Sequence, residues 1–300
     1  MDILTLNQVA KSFGEKTVLK ELSFSVPKGS IFGFIGQNGA GKTTTMKMIL
    51  GLLKMDQGEI TVCGEKVSFG QNVTNQYIGY LPDVPEFYDF MTPREYLLLC
   101  GSITGMSKKM AMERTEELLE MVGLSKERKR IRGFSRGMKQ RLGVAQALFN
   151  RPKLLICDEP TSALDPVGRK ELLEILVQAK EETTILFSTH ILSDVERICD
   201  QVAFLHEGEL VLQGNLEEIK SKRAGNDLEI EFQNRNDLQT FSAKYENGKE
   251  LGALRLQYEN KTEKEMLTML SYMWEQSICP QKMERLENSL EDLFMEVVGR

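Results

Sequence analysis

The run Gly36-Gln37-Asn38-Gly39-Ala40-Gly41-Lys42-Thr43-Thr44 brings glycines, a lysine and two hydroxyls together at a spacing suited to a polyphosphate. Glycines let successive backbone N–H groups turn toward one point, and the positive end of a following helix faces the same point. Lys42 would then reach the β- and γ-phosphates, and Thr43 would ligate Mg²⁺. A second group of chemistry-bearing residues is Asp158-Glu159, which closes the apolar run Leu154-Leu155-Ile156-Cys157. Phosphate-loop enzymes deliver a carboxylate to Mg²⁺ from such a strand end. Asp158 would hold the metal directly or through water, and Glu159 is placed to polarise an attacking water. A third group is Phe134-Ser135-Arg136-Gly137-Met138-Lys139-Gln140-Arg141, just before the helical positions Leu142, Ala145 and Leu148. Ser135 is an N-cap candidate, so a hydroxyl and backbone N–H groups converge at that helix start, either on an anion or in ordinary capping.

Elements that can position these groups are legible around them. Ile31-Phe32-Gly33-Phe34-Ile35 reads as a buried strand entering the glycine-rich loop, and Met46, Ile49, Leu50 and Leu53 are spaced for one face of the helix leaving it. Upstream, Leu22, Phe24 and Val26 alternate with Ser23 and Ser25, and Pro27-Lys28-Gly29 ends that strand. Ile60-Thr61-Val62 and Tyr77-Ile78-Gly79-Tyr80-Leu81 are again strand-like. From Pro93 to about Leu148 the pattern turns helical, with Tyr96, Leu97 and Leu99 in one segment and Leu118, Leu119 and Val122 in the next. Leu154–Cys157 and Thr184-Ile185-Leu186-Phe187 read as buried strands separated by a helix starting near Pro166. Strand, helix and strand in that order predict a parallel α/β sheet.

Ser221-Lys222-Arg223-Ala224-Gly225-Asn226 is a polar run that reads as a linker. Beyond it, Leu228-Ile230-Phe232 and Leu254-Leu256-Tyr258 alternate as strands, while 262–274 and 288–298 read as helices, giving a small α+β module. The 300 residues suit one large α/β domain with a smaller appendage. A formal net charge of −6 disfavours non-specific attraction to nucleic acid or anionic lipid. Lys126-Glu127-Arg128-Lys129-Arg130 reads as a solvated loop face. No apolar run is long enough to cross a bilayer, and Met1-Asp2-Ile3 lacks the basic start and apolar centre of a signal peptide, so a cytosolic chain is expected. Five cysteines are scattered singly, without metal or disulfide spacing, and are expected as buried reduced thiols.

Taken in order, these segments resemble the ATP-binding cassette (ABC) family of transporter ATPases over about residues 3–220. Gly36 to Thr44 matches the family's first nucleotide motif, Leu154 to Glu159 its second, and Ser135-Arg136-Gly137 its signature. Ser162-Ala163-Leu164-Asp165 matches the loop that communicates between subunits, and His190 in Ser188-Thr189-His190 the switch histidine. Phe13 falls where the family stacks an aromatic on adenine, an orientation any π-face can provide; a packed core phenylalanine is the alternative. The resemblance implies Glu159, His190 and Lys42 as catalytic residues. It implies nucleotide contacts from Phe13, Gly36, Asn38, Gly39, Ala40, Gly41, Lys42, Thr43, Thr44, Ser135 and Gly137, and metal contacts from Thr43, Asp158 and Asp83. Two departures stand out. Arg136 and Met138 replace the signature's usual glycine and glutamine, and Asp83 replaces a glutamine that couples metal and water to the transport partner. An ionised Asp83 cannot donate a hydrogen bond.

The implied fold is a phosphate-loop ABC ATPase core, residues 1–222, with an N-terminal antiparallel β subdomain and a helical insert at about 84–148. An accessory α+β domain at 223–300 follows. The implied activity is ATP hydrolysis with Mg²⁺, powering a membrane transporter of the bacterial ABC-2 exporter subfamily through ATP-driven pairing of two cassettes. Implied partners are an integral-membrane permease and a second cassette, as homodimer or heterodimer, with no nucleic acid. The chain would lie at the cytoplasmic face of the membrane. The competing reading is a cassette ATPase acting on ribosomes or nucleic acid; such chains usually carry two cassettes or a long coiled-coil insertion, and neither is visible.

Overall fold

The computed structural model describes residues 2–71, 73–222, 227–286, 290–291 and 293–294. They fall into two units that divide between Leu216 and Glu217. The first opens on a long hairpin of β1 (Asp2–Phe13) and β2 (Lys16–Pro27). Leu22, Phe24 and Val26 of β2 are buried while Ser23 is exposed, as period-two alternation requires of a sheet with one wet face. After β3 (Ile31–Gly36) and α1 (Lys42–Ile49), β4 (Gln57–Val62) and β5 (Glu65–Lys66) rejoin the hairpin as an antiparallel sheet ordered β2-β1-β4-β5.

The chain then builds β6 (Ile78–Leu81) and an insert of three helices, α2 (Pro93–Ile103), α3 (Lys108–Met121) and α4 (Arg136–Leu148). Each helix has a side-chain cap, from Thr92, Ser107 and Ser135, and Thr92 forms a full capping box with Glu95. There follow β7 (Leu154–Asp158), α5 (Pro166–Ala179), β8 (Thr184–Thr189), α6 (Leu192–Ile198), β9 (Gln201–His206) and β10 (Glu209–Asn215). The second sheet is ordered β10-β9-β3-β8-β7-β6, parallel throughout except at β10. Every residue of β3, β7 and β8 is buried, because both faces of a parallel sheet are covered. Phe24 of the antiparallel sheet stacks on Phe32 and Phe34 of the parallel one, with ring centroids 5.5 and 5.2 Å apart, inside a core that also holds Leu4, Met46 and Ile156.

α7 (Leu216–Lys222) starts at the division. The second unit adds β11 (Asp227–Phe232), α8 (Arg235–Lys244), β12 (Lys249–Glu250), β13 (Arg255–Tyr258), α9 (Glu263–Glu275) and β14 (Pro280–Leu286). Its antiparallel sheet is ordered β12-β13-β11-β14. Leu228, Ile230, Phe232, Leu256 and Tyr258 pack there against Phe241 of α8 and Met269 and Met273 of α9.

Several expectations need adjusting. α1 stops at Ile49, with Leu50 as its C-cap and Gly51 at φ +68°, so Leu53 lies beyond the helix. Tyr77 closes a short 3₁₀ turn, and the strand begins only at Ile78. α8 and β14 were not anticipated. Ser221 and Lys222 end α7, and the rest of the expected linker, 223–226, lies outside the described residues. Of the expected helix 288–298, only 290, 291, 293 and 294 are described, and these are helical. Cys157 and Cys199 are buried, but Cys63 and Cys100 are only half-buried and Cys279 is exposed, so burial of all five thiols does not hold.

Candidate active site

Four parallel strands end on one edge of the sheet, and each hands a chemistry-bearing residue to it. β3 runs into the glycine-rich loop, β7 into Asp158 and Glu159, β8 into His190, and β6 into Asp83. Register fixes their levels: Ile35 pairs with Thr189, Asp158 with Ser188, and Leu81 with Cys157. The carboxyl edge of a parallel α/β sheet is where such folds bind ligands. A cavity of about 350 Å³ lies there, lined by Asn38, Gly39, Gly41, Lys42, Thr43, Thr44, Asp83, Asp158 and Glu159.

The loop closes tightly because Gly41, at the N-cap of α1, takes φ +115°, and a Cβ there would lie 2.6 Å from Leu19 Cδ2. Lys42 is 5 % exposed, and its Nζ donates to the carbonyls of Gly36 and Gln37. Its ammonium also lies 3.0 Å from Glu159 Oε1. Thr43 donates its hydroxyl to Asp158, and Ser188 Oγ donates to Asp158 Oδ1 at 3.3 Å. Burial pushes the Asp158 carboxyl up, the two hydroxyls hold it down, and the neighbouring Glu159 charge raises it further against Lys42.

Glu159 sits at φ +49°, a conformation rare for a residue with a side chain, with its N–H bonded to the Ser188 carbonyl at 3.0 Å. That backbone turns its carboxylate between two basic groups: His190 Nδ1 is 2.8 Å from Oε2, and Lys42 approaches Oε1. An ionised carboxylate only accepts, so Nδ1 carries a proton. Oε1 is buried and has the ionic contact but, among the described residues, no hydrogen-bond partner. An acceptor so placed can take a proton from a water.

Other candidates stand apart from this cluster. Phe13 closes β1 with its ring 51 % exposed and the Lys11 ammonium 5.2 Å from the centroid, so it is not a core phenylalanine. Ser135 Oγ accepts from Met138 N–H at 3.2 Å, and neither Ser135 nor Gly137 lines the cavity. Asp83 does line it, but its Oδ1 accepts from Arg136 Nη2 at 3.3 Å and Ser162 Oγ at 2.8 Å. Sequence reasoning also missed a buried pair behind the site, Thr161 Oγ1 donating to Asp194 Oδ2 at 2.7 Å. Burial pushes that carboxyl up, with Thr161 and the nearby arginines 169 and 197 opposing. Asp194 follows His190 by four residues at the start of α6, and an acid so close to a candidate histidine was the available signal.

Comparison with known proteins identifies the family. The family model "ABC transporter" matches residues 19–162. The bacitracin transport ATP-binding protein BcrA of Bacillus licheniformis is 39% identical over 99% of this chain and 97% of its own length. An uncharacterized ABC transporter ATP-binding protein of Bacillus subtilis, YxlF, is 44% identical over 75% of each chain. A solved ATP-binding subunit of an ABC transporter superposes with a TM-score of 0.65 at 33% identity, covering 73% of this chain and 92% of that one. With the match to BcrA running nearly end to end, the chain belongs to the ABC transporter family, as an ATP-binding and ATP-hydrolysing subunit.

Proposed function

We propose that Glu159 is the general base for ATP hydrolysis, and the observation that carries this is its carboxylate lining the cavity between Lys42 at 3.0 Å and His190 Nδ1 at 2.8 Å. As water attacks the γ-phosphorus, Glu159 accepts a water proton, a P–O bond forms, and the bond to the bridging oxygen breaks to leave ADP and phosphate. Lys42 exchanges its contact with Glu159 for the phosphates, which frees the carboxylate for that proton. His190, already oriented by Glu159, presents its other ring nitrogen to the γ-phosphate. Thr43 and Asp158 supply the hard oxygen donors that Mg²⁺ prefers, and they already meet through a hydrogen bond. When bound, the ion neutralises charge on the phosphate oxygens. Asp83 is an outer member of the acidic set.

The unit that ends at Leu216 acts as the ATPase domain and the one that begins at Glu217 as an accessory domain, six residues before the boundary expected at 222. Ser135 and Gly137 serve the nucleotide held by another cassette, where the helix start and the hydroxyl add donors that one loop cannot supply. ATP thereby binds two cassettes together, and its hydrolysis releases them, a difference in affinity that a permease converts into alternating access. Among the described residues, no helix is long and apolar enough to cross a membrane, in keeping with a separate permease and a place at the cytoplasmic face. Similarity to a bacitracin transport ATP-binding protein and a linearmycin resistance ATP-binding protein favours export of an antibiotic-like molecule. Glu159→Gln is the test: the purified variant should pair in the presence of ATP on size-exclusion chromatography and lose steady-state turnover by about a hundredfold or more. Undiminished phosphate release would sink the assignment.

A further inference from the structure

α4 grips Asp83 with two side chains one helical turn apart. Arg136 donates to the carboxylate, and Gln140 Nε2 donates to the backbone carbonyl of the same residue. Gln140 is 1 % exposed, so this contact is internal to the fold. Gly143 continues the same face: a Cβ there would lie 2.6 Å from Leu81 Cδ1 and 3.3 Å from Pro85 Cβ. This face of α4 is therefore shaped to hold the chain around Asp83. From the other side, Ser162 donates to the oxygen that Arg136 uses.

Charge gives the arrangement a consequence for nucleotide binding. The cavity presents Asp83, Asp158 and Glu159 against Lys42 alone. Asp158 and Glu159 have Lys42 beside them, whereas the cation next to Asp83 is Arg136. Any carboxylate left without a counter-charge there repels an incoming triphosphate. Both side chains of the Arg136–Asp83 pair are about half exposed, at 47% and 48%, so its contribution to folding is small.

We infer that Arg136 is a positioning residue for the nucleotide site of its own chain: by orienting and neutralising Asp83 it sets the affinity for ATP. The inference rests on the phosphate-loop reading above. The test is a titration of the full-length protein with a fluorescent, nonhydrolysable ATP analogue in EDTA at low salt, so that no metal contact of Asp83 contributes, at protein concentrations below ATP-driven pairing. Arg136→Ala should weaken binding about two- to fivefold, the scale of an exposed ion pair. Arg136→Lys should retain most of the affinity. Asp83→Asn added to Arg136→Ala should restore it, and the loss should fade as salt is raised. An Arg136→Ala loss that Asp83→Asn does not repair would overturn the inference, since Arg136 would then act on the nucleotide or the fold directly. So would an unchanged affinity in Arg136→Ala, or weaker binding in Asp83→Asn alone. Lys42→Ala serves as the control and should bind far more weakly. Loss in Lys42→Ala with none in Arg136→Ala overturns this inference only; no loss in either removes the phosphate-loop reading as well.

Discussion

At the scale of single residues, the contacts explain why some side chains are available for chemistry and others are not. Asp158, Glu159, Lys42 and His190 touch one another or a common neighbour, and their types and order along the chain were enough to single them out. Arg136 and Asp83 were legible only as departures from a familiar pattern. Their pairing spans 53 positions, and a long-range contact between two surface charges leaves no local signature. Thiol reactivity offers a direct check on the residue environments. Burial pushes the thiols of Cys157 and Cys199 well up, and those of Cys63 and Cys100 less far, while Cys279 is exposed. Because the thiolate is the reactive form, a maleimide at neutral pH should label Cys279 first and leave Cys157 and Cys199 untouched until unfolding. Peptide mapping that found Cys157 modified as fast as Cys279 in the native protein would contradict this.

At the scale of elements, β3, β7 and β8 were readable because uninterrupted apolar runs have few other uses, the start of α4 because Ser135 offers a cap, and that of α5 because Pro166 opens it. α8 escaped because it buries only Leu238 and Phe241 among ten residues, too few for a helical period. β14 escaped because it opens on a proline and none of its residues is fully buried. The start of α4 is the element whose cap matters most. Ser135→Ala removes the acceptor for Met138 N–H and should cost about 1 kcal/mol of stability, read as a lowered denaturant midpoint at constant slope. A variant as stable as the parent would mean that solvent satisfies this N–H equally well.

At the scale of the molecule, the division of labour between the phosphate loop and α4 has a stoichiometric consequence. Ser135 and Gly137 lie outside the cavity that Lys42 lines; on the pairing proposed above, each site of two identical chains would draw its loop from one copy and its helix start from the other. Lys42→Ala and Ser135→Arg proteins should each be inactive alone. Mixed in equal amounts they should regain about a quarter of wild-type turnover, because half of the random pairs hold one intact site. A mixture as inactive as its components would argue against the shared site. The two-unit organisation was readable from the return of strand alternation after residue 226. The point of division was not, because α7 begins directly where β10 ends.

The packing of Leu19 against Gly41 has a consequence of its own. Leu19 belongs to the opening hairpin and is fully buried, and the neighbouring Lys20 N–H bonds to the Gly208 carbonyl between β9 and β10 at 2.8 Å. The hairpin is thus a buttress that keeps the glycine-rich turn from springing outward. A void cut behind the turn by Leu19→Ala would spare every atom of the glycine-rich loop yet let it loosen. Such wear would show itself as a fuel-starved transporter.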